Sequence, residues 1–160
     1  MTLLSIRQTH SLVVVGVIGL MSYALYTQYY LFLEPCPLCI TQRLFYILIA
    51  LFALLALLHQ AKYKLYSIFA LLSAFAGMAT AGRQVWLQHL PPDQVPACGP
   101  GLEYMLETFP LSETLSTMIR GDGQCAEVVW SFVGLSMGEW SLVCFTAFAA
   151  IFVWQLIRQN

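Results

Sequence analysis

The residues of this chain that could do chemistry are its cysteines, of which there are five among 160 residues. Cys36 and Cys39 form a C-x-x-C motif whose second residue is Pro37. Proline suits the first position of a helix, because the N–H that it lacks would have no partner there. We therefore expect Cys36 near the N-cap of a helix and Cys39 in its first turn. The positive end of the helix dipole stabilises a thiolate at that place.

Arg43 follows Cys39 by four residues, so the two side chains share one face of the predicted helix. A guanidinium beside the sulfur favours the thiolate and a reactive, exchange-competent pair. The alternative for Arg43 is snorkelling to the lipid headgroups. The alternatives for the motif are a static disulfide or half of a zinc site. Zinc would require a second closely spaced pair, whereas Cys98 and Cys125 are 27 positions apart, so we expect no metal.

Cys98 and Cys125 lie in stretches of turn-forming residues, at 94–100 and 120–125. Such stretches are typical of exposed, mobile segments. A disulfide between them would be reachable by the thiolate of another protein. It would also close a loop and restrict the unfolded chain, and the two roles do not exclude each other. Cys144 lies within an apolar stretch, and we interpret it as a small buried apolar residue.

The elements that must position these cysteines are membrane spans. The chain is 59% hydrophobic and 9% charged, against about 45–50% and about 25% in soluble domains. This excludes a soluble globular enzyme and a disordered chain. The net charge of −1 gives no argument for nucleic acid.

A helix needs roughly 20 apolar residues to cross a bilayer. Four stretches qualify, at 11–33, 44–61, 65–88 and 141–157. We therefore predict an all-α fold, a four-transmembrane-helix bundle forming one membrane domain over residues 1–160, with outward loops at 34–40 and 89–139. In the second loop, Leu106 and Phe109 before Pro110, and Leu111 and Leu115 after it, recur at helical spacing. Short amphipathic helices there would lie on the membrane surface or on the outer end of the bundle.

Four spans place both termini on the same side of the membrane. That side holds four basic residues, Arg7, Lys62, Lys64 and Arg158, whereas Arg120 is the one clearly on the other side. The positive-inside rule therefore predicts cytoplasmic termini. The loop cysteines then face an oxidising compartment, where disulfides persist.

His89 ends the third span at the same expected depth as Cys39 and Arg43. Most histidines at this depth only hydrogen-bond to water or headgroups. The shared depth nevertheless favours contact between His89 and a bound ligand.

Two cysteine pairs capable of forming disulfides on one side of a membrane can exchange electrons. Two electrons would pass from the exposed pair to the pair at the bilayer edge through a mixed disulfide. The two-electron acceptor available at that edge is a lipid-soluble quinone. Arg43 would stabilise both the thiolate and the negative charge that develops on the quinone oxygen. The predicted reaction is therefore oxidation of protein thiols coupled to quinone reduction.

Motifs along nearly the whole chain carry a family resemblance. They are Glu34-Pro35-Cys36-Pro37-Leu38-Cys39, Arg43, Cys98, the run Cys125-Ala126-Glu127 to Trp130, then Phe132, Gly134-Leu135, Met137 and Trp140, with Gly82, Gln84 and His89 at the end of the third span. In these residues the sequence resembles the disulfide bond formation protein B (DsbB) family of bacterial inner membranes. Gly138 departs from the pattern, because members of the family often have proline there.

The resemblance implies a protein-dithiol:quinone oxidoreductase whose partner is a periplasmic thioredoxin-fold oxidase like DsbA. By that resemblance, the partner attacks Cys98 and opens a Cys98–Cys125 disulfide. Electrons then pass to Cys36–Cys39, with Cys39 facing ubiquinone or menaquinone. Arg43 matches the arginine of the family's quinone site, and His89 resembles a quinone neighbour.

Two other functions are compatible with parts of the sequence. One is a small structural or chaperone-like membrane subunit whose disulfides only stabilise its loops. The other is a quinone oxidoreductase of the vitamin K epoxide reductase type, against which the C-A-E-x-x-W run argues.

Overall fold

The structure is a computed structural model that describes residues 5–59, 62–100 and 102–158, with the side chains of residues 102 and 103 outside the description. The elements in chain order are α1 (Ile6–Tyr30), α2 (Pro37–Leu58), α3 (Tyr63–Gln88), α4 (Leu102–Thr108), α5 (Leu111–Arg120), β1 (Ser131–Phe132), β2 (Leu135–Ser136) and α6 (Met137–Arg158). Within these residues, four helices are long and apolar enough to cross a membrane: α1, α2, α3 and α6. The predicted all-α, four-span fold is confirmed.

The spanning helices begin before the predicted apolar stretches, and α1 ends at Tyr30, before the predicted residue 33. For α1 and α2, capping residues and not hydropathy determine the start. Helix α1 begins with a capping box, in which Ser5 Oγ accepts from the Gln8 backbone N–H and the Gln8 side chain accepts from the Ser5 N–H. Helix α2 begins at Pro37, well before the predicted span start at residue 44. The predicted end of that span, residues 60 and 61, lies outside the described residues.

The helices pack through small residues in the middle of the bundle. A Cβ on Gly77 of α3 would lie 2.2 Å from Cε1 of Phe145 on α6, so only glycine permits this close crossing. The Phe145 ring also stacks on Tyr46 of α2, with ring centroids 4.1 Å apart. In lipid, such close packing through small residues drives helix association. Helix α3 thereby contacts both α2 and α6.

A buried polar cluster joins three helices at the end of the bundle where α1 begins and α6 ends, here called the terminal end. His10 of α1, with 0% of its side chain exposed, approaches Ser67 Oγ of α3 at 3.3 Å through Nε2. Gln155 Nε2 of α6 lies 3.1 Å from His10 Nδ1. We call these three residues the terminal-end cluster.

Helices α4 and α5 lie at the opposite end, here called the cysteine end, where amphipathic helices were predicted. Helix α5 docks on the bundle through a hydrogen bond from Thr41 Oγ to the Met118 carbonyl at 2.7 Å. Its apolar stripe, by contrast, is exposed, with Leu111 at 72%, Leu115 at 54% and Ile119 at 61%. This stripe therefore does not pack on the bundle.

A short antiparallel hairpin, β1–β2, connects the long loop to α6. Its turn residues Val133 and Gly134 both have positive φ, at 54° and 80°, as a type I′ turn requires. The sequence pattern does not indicate this hairpin, because each strand has only two residues and valine is unusual at positive φ. Trp140 Nε1 donates to the Phe132 carbonyl at 3.0 Å and attaches the hairpin to α6.

Candidate redox site

The C-x-x-C motif begins helix α2 as its spacing predicted. Cys36 is the N-cap, Pro37 occupies the first turn, and the Cys39 backbone N–H donates to Cys36 Sγ at 3.4 Å. The two sulfur atoms lie 3.0 Å apart. All five cysteines are free thiols in the structure. The local helix start therefore holds Cys36 and Cys39 within exchange distance of each other.

Cys125 adds a third sulfur to this pair. It lies in a 3₁₀ turn at Gly123–Ala126 and is fully buried with Cys36, Leu38 and Leu87. The neighbouring Cys36 thiol lowers the pKa of Cys125, and the neighbouring Cys125 and Cys39 sulfurs raise the pKa of Cys36. Cys125, Cys36 and Cys39 thus form one contiguous group, which we call the sulfur cluster.

The burial of Cys125 differs from the exposed, mobile segment that its turn-forming neighbours predicted. Asp122 caps the turn by accepting from the Gln124 backbone N–H at 3.1 Å. Gly121, with φ of 74°, lets the chain pass directly over Leu38, where a Cβ would lie 2.7 Å from Cδ1. Long-range packing against α2 and α3 therefore orders a segment whose local sequence favours mobility.

Cys98 is exposed, as predicted, but its segment is held against the Cys125 turn. The Gly99 backbone N–H donates to Asp122 Oδ2 at 3.2 Å, and the Gly123 N–H donates to the Ala97 carbonyl at 3.3 Å. A Cβ on Gly123 would lie 2.9 Å from Cys98 Sγ, so only glycine allows this approach. Cys98 is thus the accessible cysteine next to a buried sulfur cluster.

Arg43 lies one helical turn after Cys39, half-buried, and is tied to α1. Its Nη1 donates to Gln28 Oε1, and its Nη2 donates to the Ala24 carbonyl at 3.2 Å. These bonds hold the guanidinium within the protein, beside the sulfur cluster.

A cavity of about 770 Å³ opens beside the sulfur cluster. Its lining residues come from α1, α2, α3, α6 and the hairpin; they include Cys36, Cys39, Arg43, Gln84, Trp130 and Trp140. Cys144 also lines it. Cys144 packs against the apolar core of the bundle but is half-buried, whereas we expected a small buried apolar residue. The volume lies in the range of small-molecule sites, about 300–1,000 Å³.

Three predicted site residues do not line this cavity, namely Cys98, Cys125 and His89. Of the three, only His89 is not a cysteine. It is the C-cap of α3, exposed, with Nδ1 2.8 Å from the Val85 carbonyl. Among the residues described, the lining of the cavity does not include it. Its contact with a ligand stays a prediction.

Two glutamines were missed as site residues by reasoning from chemistry. Gln84 of α3, 4% exposed, has Nε2 3.4 Å from Cys39 Sγ, and its Oε1 accepts from Gln42 Nε2 at 2.8 Å. Gln42 belongs to α2 and is also 4% exposed. The available signal was an amide inside an apolar span, since polar groups there are costly and usually functional.

The described residues of this site do not form a candidate metal-binding group. Within the described residues, no group of three or more His, Cys, Asp or Glu side chains could hold a metal ion.

Comparison with known proteins agrees with the geometry of the site. The family model described as "Disulfide bond formation protein DsbB" matches residues 6–155. A protein of Hahella chejuensis named disulfide bond formation protein B is 49% identical over 156 residues, covering 96% of this chain and 94% of that protein. Proteins of the same name from Saccharophagus degradans and Acinetobacter baumannii are 49% and 43% identical, each over 97% of this chain and 95% and 93% of their own lengths. The chain is a multi-pass membrane protein and belongs to the DsbB family of disulfide bond formation proteins.

Proposed function

We propose that this protein oxidises the dithiol of a DsbA-like thioredoxin-fold oxidase and passes two electrons to a membrane quinone. The observation that carries the proposal is the sulfur cluster, which runs from a turn beside exposed Cys98 to Cys39 on the wall of the cavity. Family membership supports a role in disulfide bond formation. The protein is then a protein-dithiol:quinone oxidoreductase that sustains disulfide formation.

The first exchange takes place at Cys98. A partner thiolate attacks Cys98 Sγ of a Cys98–Cys125 disulfide, a partner–Cys98 disulfide forms, and the electron pair leaves on Cys125. Backbone hydrogen bonds at Leu38 and Asp122 also lower the pKa of Cys125, and they do not require a free Cys36 thiol. The buried sulfur is therefore stabilised as the leaving thiolate. The partner's second thiolate then releases oxidised partner and leaves Cys98 reduced.

The second exchange takes place within the sulfur cluster. The Cys125 thiolate attacks Cys36, the Cys36–Cys39 disulfide breaks, and the electron pair stays on Cys39. The contact between Cys125 and Cys36 and the 3.0 Å between the sulfurs of Cys36 and Cys39 support this order. The Cys98 thiolate then attacks Cys125 Sγ, the Cys98–Cys125 disulfide re-forms, and the electron pair leaves on Cys36. The pair Cys36 and Cys39 then holds two electrons next to the cavity.

The residues around the cavity fit a quinone, either ubiquinone or menaquinone. The space is large enough for a substituted ring, aromatic side chains from the hairpin and α6 surround it, and Cys39 and Arg43 share its wall. A quinone, when bound, accepts the two electrons and two protons of the dithiol. Arg43, oriented by Gln28, stabilises negative charge at this wall. His89 is retained as a proposed neighbour only on the family resemblance.

The same proposal places the protein in the bacterial inner membrane with both termini in the cytoplasm. The basic residues of the terminal end support this orientation, since Lys and Arg concentrate on the cytoplasmic side. The four loop cysteines then lie in the periplasm with a DsbA-like partner. In a Cys125→Ala variant, where Cys98 has no disulfide partner at this site, we expect labelling of Cys98 in intact cells by a membrane-impermeant maleimide. Labelling only after the cells are opened would contradict the orientation.

The direct test mixes the purified protein with a reduced thioredoxin-fold oxidase and a soluble quinone. We expect oxidation of the partner that depends on quinone and falls to background when Cys39 is replaced by serine. No quinone-dependent oxidation would contradict the proposal. A subunit with purely stabilising disulfides would instead keep Cys36–Cys39 oxidised in cells that lack quinone, as judged by thiol alkylation.

Trapping distinguishes the two cysteines of the entry pair. Cys98→Ala should trap no mixed disulfide with the partner. In Cys125→Ala, the Cys98 thiolate attacks the disulfide of oxidised partner and one partner thiolate leaves. The partner–Cys98 disulfide should persist, because no Cys125 thiolate is present to displace the partner from Cys98. The reverse pattern would overturn attack at Cys98.

A further inference from the structure

Gln84 is a buried amide in direct contact with both sulfurs of the C-x-x-C pair. Its Nε2 lies 3.4 Å from Cys39 Sγ and 3.7 Å from Cys36 Sγ, and 4% of the side chain is exposed. An amide nitrogen carries two hydrogens, so one group is able to donate to both sulfur atoms. Gln84 thus bridges from α3 to the start of α2.

Two neighbours orient this amide. Gln42 donates to Gln84 Oε1 at 2.8 Å, which directs the oxygen to Gln42 and the nitrogen to the sulfurs. On the other side, the backbone of α6 passes at Gly138, where a Cβ would lie 3.1 Å from Gln84 Cδ and 3.3 Å from Oε1. The donor is therefore held in place before any charge develops on sulfur. Such preorganisation makes a hydrogen bond effective, because little reorganisation is needed during the reaction.

We propose that Gln84 is an anion-stabilising hydrogen-bond donor for Cys39, with Gln42 as its positioning residue. The proposal rests on the proposed function. When the Cys125 thiolate attacks Cys36, the Cys125–Cys36 bond forms, the Cys36–Cys39 bond breaks, and the electron pair stays on Cys39 Sγ. The Gln84 Nε2–H donates to that sulfur at this moment, and Gln84 therefore acts on a reacting atom.

The size of the effect follows from the environment. A hydrogen bond to a charged group is stronger than one between neutral groups, and more so where water is excluded. Removing such a donor changes an equilibrium constant by about tenfold or more. The contribution disappears when Cys39 is protonated, because the bond to a neutral thiol is weak.

The test measures the thiol–disulfide equilibrium of Cys36–Cys39 against a glutathione redox buffer in quinone-free protein. The background is Cys98→Ala, Cys125→Ala and Cys144→Ala, so that only one pair titrates. For Gln84→Met we expect the equilibrium to shift towards the disulfide by about tenfold at pH 9, with a much smaller shift at pH 6. No shift, or a shift of the same size at both pH values, would overturn the proposal.

Two further variants separate donation from packing. Gln84→Glu keeps an acceptor for Gln42 but loses the N–H donors, so at pH 9 it should shift the equilibrium in the same direction as Gln84→Met. If Gln84→Glu behaved like the parent protein, a packing role would explain the site and the proposal would fail. Gln155→Met, which removes an equally buried glutamine at the terminal end, is the matched control and should leave the equilibrium unchanged.

The thiol–disulfide equilibrium of Cys36–Cys39 can be measured even if the proposed function is wrong. A tenfold shift in protein that never oxidises a partner with quinone would leave the role of Gln84 intact and overturn the proposed function. If Gln84→Met showed normal quinone-dependent oxidation and an unchanged equilibrium, the proposed function would stand and the role of Gln84 would be overturned.

Discussion

Each end of the bundle contains buried polar side chains that connect neighbouring helices. The two ends differ in the groups that these side chains contact. In the terminal-end cluster, Ser67 and Gln155 each hydrogen-bond to His10, and the Phe152 ring lies against His10. At the cysteine end, the Gln42 and Gln84 amides contact two sulfurs that line a cavity.

This difference separates two uses of polar residues in a membrane protein. Polar side chains inside spans are costly, so they satisfy one another or serve a function. The terminal-end cluster is enclosed, with His10 at 0% and Gln155 at 2% exposure, and its bonds only connect helices. At the cysteine end, the polar atoms meet groups whose charge changes during reaction. Substitutions at the two ends should therefore affect different measurements.

The largest effect is expected from Arg43→Met, which removes the positive charge at the cavity wall. Loss of one preorganised electrostatic donor typically costs about 100-fold in turnover, and we expect quinone-dependent partner oxidation to fall by that amount. Thermal unfolding in detergent should change little. Arg83→Met is the control, because Arg83 donates to the Arg120 carbonyl and lies outside the cavity lining. Equal losses in the two variants would contradict a specific role for Arg43.

A change midway between the two ends should act on stability alone. Gly77→Ala would drive a methyl group into the Phe145 ring, and overpacking of this kind costs about 1–3 kcal/mol. Gly82→Ala, on the same helix with no atom within 4 Å of the added Cβ, should be neutral or stabilising. Thermal unfolding of the two variants measures the difference. If both melted alike, α3 and α6 would not cross as closely as the structure shows.

A smaller effect is expected on the pH dependence of Cys125 reactivity at the cysteine end. Cys36→Ala removes the neighbouring thiol that lowers the pKa of Cys125, so the pKa of Cys125 should rise. The thiolate fraction at neutral pH then falls, and Cys125 should react more slowly with a small methanethiosulfonate. The pH profile of that reaction, measured in reduced protein with a Cys39→Ala, Cys98→Ala and Cys144→Ala background, should move to higher pH. A profile that stayed in place would show that Cys36 does not affect Cys125.

The smallest effect is expected at the terminal end. His10→Leu leaves Ser67 Oγ and Gln155 Nε2 without their His10 partner. Side-chain hydrogen bonds between membrane helices average about 0.6 kcal/mol, so the melting temperature should fall slightly while partner oxidation stays normal. Gln155→Met should cost less, because Gln155 Oε1 has no hydrogen-bond partner within the described residues. A loss of oxidation in His10→Leu would show that the two ends are coupled.

Much of the cysteine end follows from short-range patterns. The spacing of Cys36, Pro37, Cys39 and Arg43 predicts a helix start with two sulfurs and a guanidinium near one face, and α2 has this arrangement. The four spans follow from runs of apolar residues. Helical periodicity and hydropathy are local properties, so neighbouring residues suffice to specify them.

Contacts between segments that are distant in the chain could not be predicted from short-range patterns. The burial of Cys125 against Cys36, the Gln42–Gln84 pair and the hairpin that walls the cavity each depend on how separate elements pack. The sequence by itself determined the all-α spans, the reactive motif and the basic residue beside it, because bilayer thickness and helix geometry act along the chain. Only the tertiary structure decided which sulfur meets Cys36 and which amide meets Cys39, because close packing selects partners that no periodicity specifies.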